Sequence, residues 1–184
     1  MRKVQRSEIV DYQTYGDSRE ATRAAMLAIK GPRRVHVGPH LTFLFETTAT
    51  MRYQIQEMMR AERIAREADI QREIDAYNAV LGDEGELGCT LLVEIDDRDE
   101  RIRRLREWRG LPDHIYLRCD DGTRVRPTYD RAQVDHEKIS AVQYLKFPVG
   151  ARRPMALGSD LPAHTVEAAL TPEQQAALIA DLGG

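Results

Sequence analysis

The dipeptide Asp121-Gly122, set between the β-type runs 114–119 and 124–128, constrains this chain more than any other local feature. Asp-Gly favours the positive φ angles of a type I′ turn, so the two runs are expected to fold back as an antiparallel hairpin. Gly38-Pro39-His40 separates the runs 34–37 and 41–45 in the same manner. Parallel neighbours need a crossover of a dozen or more residues, and these connections are far shorter. Further β-type runs lie at 89–95, 141–149, 155–157 and 164–169. The predicted fold is α+β, with a largely antiparallel sheet of about six to eight strands.

Helical signals fill the intervals. Residues 7–30 read as a helix, with Asp17 and Glu20 as a capping box and Gly31-Pro32 as its stop. A long helical hairpin is expected from 48–66 and 69–81, followed by a glycine-rich acidic loop at 82–88. Asp97 and Glu100 open another helix that ends near Gly110, and Thr171-Pro172 with Gln174 opens the last. Repeats, low-complexity stretches and long linkers are lacking, so 1–184 is read as a single domain.

The charge balance narrows the function classes. With 27 basic and 30 acidic residues the formal net charge is -3, which offers no general field for phosphate. No apolar run approaches the roughly 18 residues that span a bilayer, and MRKVQRSEIVDYQ carries no apolar stretch of a signal peptide. Cys89 and Cys119 form no CxxC pair and read as small buried residues of a reducing compartment, hence the cytoplasm.

The helical hairpin breaks its own pattern. On a wheel of about 100° per residue, Met51, Ile55, Met58, Met59, Ala61 and Ala65 share an apolar arc, while Arg52, Gln56, Arg60 and Arg63 lie opposite. Gln54, Glu57 and Glu62 fall inside the apolar arc. In the next helix Glu73 sits within the stripe Ile70, Ile74, Tyr77, Val80 and Leu81, with Asn78 at its edge. An ionised carboxylate without a partner is costly to bury, so such groups pair, bind metal or shift their pKa. One reading has them meeting arginines or backbone groups; the other has them lining a pocket near His40.

His36 and His40 flank the turn just before Glu46, and with Glu57 and Glu62 they form a candidate ligand set for zinc, iron or manganese. The di-iron pattern of Glu-x-x-His is excluded, because Arg60 follows Glu57 at that spacing. His114, His136 and His164 are scattered singly and read as structural or exposed. Arg101, Arg103, Arg104, Arg106 and Arg109 crowd one helix around Ile102, Leu105 and Trp108. Asp96, Asp97, Asp99 and Glu100 balance them, which favours a solvated face over a nucleic-acid patch. GxGxxG, Walker, GxSxG and HExxH motifs are all lacking, so no nucleophile is nominated.

The segment GPHLTFLFETTATMRYQIQEMMRAERI, followed by IQREIDAYNAVL, resembles an uncharacterised bacterial domain-of-unknown-function family of small cytoplasmic proteins. Ser140-Ala141-Val142 echoes it later; the likeness is dense only over 38–78. Its motif positions fall here on His40, Glu46, Gln54, Glu57, Arg60, Glu62, Glu73, Tyr77 and Asn78. Such genes often lie near those for rubrerythrin-like proteins and iron–sulfur oxidoreductases, so the resemblance implies redox or oxidative-stress work and a redox protein as partner. Three hypotheses follow. The first is a binding or accessory module with a polar, carboxylate-rich pocket between the 34–46 hairpin and the 48–81 helices. The second is a metal-dependent enzyme using His40, Glu57 and Glu62, with Glu46 or Glu73. The third is an RNA-binding module on the arginine helix. The apolar content of the helices permits a dimer.

Overall fold

The computed structural model describes residues 1–134 and 137–183, so the expectation for His136 lies outside the described residues. Two four-stranded sheets are formed, antiparallel throughout. One runs β1 (Arg34–Val37), β2 (Leu41–Phe45), β3 (Glu86–Val93), β6 (Val142–Pro148). The other runs β5 (Arg124–Val125), β4 (Ile115–Cys119), β7 (Pro154–Leu161), β8 (His164–Ala169). The α+β class expected from the sequence is the observed one, with the strands divided between two sheets.

Alternation places the core. Along β6, Gln143, Leu145 and Phe147 are buried while Val142 and Tyr144 are exposed, as a half-solvated strand requires. The buried faces of both sheets contribute to one apolar cluster, which also takes in Leu105, Trp108, Leu111 and Leu178 from the helical segments. A second, smaller cluster holds Val4, Ile9, Met51, Ile55, Met59, Ile70, Ile74, Val80 and Leu81. It is built by α2 (Thr48–Glu62), α3 (Glu67–Asn78) and the N-terminal segment, and α1 (Tyr12–Lys30) packs along α2.

Local chemistry explains where the elements begin and end. α1 starts at Tyr12 because the Asp11 side chain accepts from the Gln13 and Thr14 amides; the expected box at Asp17 lies inside the helix. Thr47 caps α2 with Thr50, and α2 stops when Arg63 turns left-handed at φ 53°. The 121–122 turn is also not the expected type I′. Gly122 alone takes a positive φ there, 81°, and its amide donates to Cys119 O, the pattern of a type I turn closed by a left-handed glycine. The 82–88 stretch is no slack loop. β3 already includes Gly88, where a Cβ would stand 2.2 Å from Val80 O and 2.8 Å from Gly82 N. Glycine is required because two backbones cross there. Beyond β3 come α4 (Arg98–Glu107), capped by Asp97, and the short α5 (Leu111–His114), while α6 (Pro172–Leu182) begins at the expected Thr171–Gln174 box. Among the described residues no helix is long and apolar enough to cross a membrane.

Candidate functional site

The polar residues singled out on α2 and α3 divide among three places. Glu57 is half-buried but faces α1. It accepts from Tyr15 Oη at 2.5 Å and pairs with Arg19 at 2.8 Å, and the Arg19 bond holds its carboxyl below the ordinary range. Asn78 ties down the N-terminus, accepting from Val4 N at 2.8 Å and donating to Val4 O at 3.0 Å. Gln54, Glu62 and Glu73 act electrostatically on the Tyr77 hydroxyl, Gln54 lowering its pKa and the two carboxylates raising it, after burial. Glu73 is half-buried, but Glu62, expected to point inward, is exposed, because it is the last residue of α2 and the chain turns away at Arg63. Arg60 is exposed as its wheel position implies.

Glu46 occupies a pocket of its own. Only 7% exposed, it accepts from Thr50 Oγ1 at 2.6 Å and Thr90 Oγ1 at 2.8 Å. Burial dominates and pushes its pKa up, and its charge in turn raises the fully buried Cys89 thiol, after desolvation.

The histidines lie elsewhere. His36 Nδ1 meets Thr42 Oγ1 at 2.8 Å, and that hydroxyl donates to Glu94 Oε2 at 2.5 Å. With the hydroxyl proton committed to Glu94, His36 Nδ1 is the donor in its bond. His40 packs against Trp108 and His164, with ring centroids 5.8 and 6.3 Å away. Among the described residues, no group of three or more His, Cys, Asp or Glu side chains is placed to hold a metal ion. The expected ligand set of His36, His40, Glu57 and Glu62 is therefore not assembled, since each member is engaged elsewhere or exposed. On α4, Arg103 and Arg104 pair with Glu100 and Glu107, and Arg101 donates to Ile95 O at 2.9 Å. Much of the arginine face is thus internally balanced.

What the structure does form is a cleft of about 580 Å³ between the end of α3 and the edge of β6. Ala76, Tyr77, Ala79 and Val80 make one wall; Tyr144, Leu145 and Lys146 line the other; Thr128, Tyr129, Asp130 and Gln133 close it. The closing segment is strapped to the strand. Thr128 and Lys146 exchange both backbone hydrogen bonds, and the Gln133 amide brackets Tyr144, donating to its carbonyl and accepting from its N–H. Tyr129 Oη donates to Asp113 at 2.7 Å, and burial together with that bond pushes its pKa up to about 12. Tyr77 is likewise raised, first by burial. Both phenols are neutral at physiological pH, so the cleft offers ring faces and hydroxyls rather than a nucleophile. Tyr144 is 42% exposed and lines the cleft. Of the residues expected in a site, Tyr77 lines this cleft, while Gln54, Glu62 and Glu73 act on its hydroxyl from beyond the lining. Tyr129, Tyr144 and Lys146 come from distant sequence, and no spacing rule could have joined them to α3.

A crystal structure at 1.90 Å of a protein of unknown function from Burkholderia pseudomallei matches with a TM-score of 0.90 and 32% sequence identity. The match covers 98% of this chain and 100% of that one. No curated protein matches the chain. A family model matches residues 3–182, and the chain belongs to that family, described as Protein of unknown function (DUF3501).

Proposed function

We propose that the protein is a binding module whose ligand is a small, flat, mostly apolar molecule held between Tyr77, Tyr129 and Tyr144. The observation that carries this reading is the cleft itself, whose 580 Å³ falls within the range of about 300–1,000 Å³ usual for small-molecule sites. Its lining is largely aromatic and aliphatic, with Lys146 and Asp130 as the charged groups available for orientation. Aromatic walls hold planar ligands by offset stacking, and a few polar groups set their direction. The carboxylates Glu62 and Glu73, whose charges act on Tyr77, bias that end against anions. The resemblance would set such a module in redox or oxidative-stress metabolism, serving a redox protein.

Anilinonaphthalene sulfonate is a suitable probe, because it pairs a planar ring system with one anionic group for Lys146. We expect saturable binding that Tyr144→Ala weakens about tenfold, the loss of one good aromatic contact. Folding should be nearly unaffected, because Tyr144 is substantially exposed. Binding that survives both Tyr144→Ala and Lys146→Ala unchanged would rule the cleft out as the site.

A further inference from the structure

Among the described residues, three buried side-chain nitrogens away from the tyrosine cleft's lining have no hydrogen-bond partner: Arg104 Nε, Trp108 Nε1 and His164 Nε2. They belong to one cluster. Trp108, 0% exposed at the end of α4, stacks on His164 at the start of β8, with ring centroids 4.2 Å apart and planes 26° from parallel. The Arg104 guanidinium carbon lies 5.4 Å from the centre of the same indole ring, and His40 stands beside both rings. Arg104 Nε is 3.5 Å from Glu100 Oε1 but not aligned for a hydrogen bond.

The chemistry of these atoms selects the partner. An indole N–H and a guanidinium N–H can only donate, and an imidazole nitrogen donates in one of its tautomers. A buried donor left unmet carries the full desolvation cost, so such nitrogens in one cluster call for an acceptor-rich group. Arg104 is paired with Glu100 and Glu107, but its Nε–H can still only donate, which argues against a metal ion and for an oxyanion. His40 also lines a groove with Pro39 and Glu94, which supplies an approach. Its rim also carries Asp96, Asp97 and Glu100, a field that opposes multiply charged anions.

We propose that Trp108, His164 and Arg104 form a binding site for a small monocarboxylate, approached past His40. It is separate from the tyrosine cleft and does not depend on it. The carboxylate oxygens accept from Trp108 Nε1, His164 Nε2 and Arg104 Nε, and His40 forms the wall between site and groove.

Trp108 is the chain's single tryptophan, so its emission reports the site directly. Full-length protein is titrated with acetate, and separately with inorganic phosphate, at constant ionic strength. The expected result is a saturable change in Trp108 emission with acetate, and a weaker response to phosphate. His164→Phe keeps a stacked ring but removes the nitrogen, and Arg104→Met removes the charge. Each should weaken acetate about tenfold, the equivalent of one charge-assisted hydrogen bond. The Trp108 indole N–H proton resonance of the unsubstituted protein provides a second readout, which does not require the variants to fold, and should move on acetate addition. An emission and an indole resonance both indifferent to acetate overturn the proposal, as does acetate binding unchanged in both variants. Phosphate binding tighter than acetate overturns the carboxylate assignment.

Discussion

The two apolar clusters of this protein are held together by different means. The larger one, between the sheets, is bounded by continuous backbone ladders, and its side chains are overwhelmingly hydrocarbon. The smaller one, under α2 and α3, is edged by side chains that grip backbone from elsewhere in the chain. Asn78 holds Val4, and Gln56 holds Val10, donating to its carbonyl at 3.0 Å and accepting from its amide at 2.8 Å. Glu57 holds Tyr15 and Arg19, and Glu46 joins Thr50 to Thr90. A sheet satisfies its neighbours through its own backbone; a helix spends its backbone hydrogen bonds internally and must reach other segments with side chains. Polar residues on a helix's inner side are therefore expected wherever extended chain runs across it, as the N-terminal segment does here.

The contrast can be put under strain by mutation. In the sheet cluster, Phe43→Ala should cost about 3–5 kcal/mol in global stability, read from urea unfolding, because Phe43 is fully buried with no polar tie to compensate. Equal losses from this change and from Asn78→Ala would break the distinction. Asn78→Ala removes two hydrogen bonds to Val4, and about 1–3 kcal/mol is expected. Its signature should be local, with the Val4 amide losing protection from hydrogen exchange before the β3 amides do.

The smallest effect should come from Glu46→Gln, and its sign depends on pH. Burial raises the Glu46 pKa, so its contribution to stability is fully present below the ordinary carboxylate value and is lost as pH rises through the raised one. Glu57 runs the other way. Its lowered pKa gives stability that is present above the ordinary value and lost as pH falls. Thermal melts across pH should show Glu46→Gln abolishing the alkaline-side loss while changing low-pH stability by about 1 kcal/mol or less, since the amide can still meet both threonine hydroxyls. A Glu46→Gln profile that keeps the parent's slope would remove Glu46 as its source.

Much of the fold was legible because its signals are local. Thr171 with Gln174, the hairpin residues around Gly38, and the alternation along β6 each act within a few positions. The site was less legible for the converse reason. The wheel marked Gln54, Glu57, Glu73 and Asn78 as anomalous, but it could not distinguish a residue lining a cleft from one gripping a neighbouring segment. It set Gln56 outward, although Gln56 is buried, because the segment that covers it lies some forty-six positions away. It set Glu62 inward because it carried the helix past Arg63. Trp108 and His164 are brought together by topology alone, and neither residue's neighbours in sequence announce the contact.

The helical layer's place in the chain bears on how the molecule acquires its structure. α2 and α3 are inserted between β2 and β3, strands that pair directly from Leu41↔Val93 to Phe45↔Cys89. Three other pairs, β1–β2, β4–β5 and β7–β8, are joined by short turns and can zip without closing a long loop. Pairing β2 with β3 must instead close over the 46–85 segment, at an entropic cost that helix formation within the loop reduces by shortening its span. The crossing at Gly88, beneath Val80 and Gly82, then seals that loop in register. The helical hairpin is accordingly expected to form ahead of the strand pair it separates.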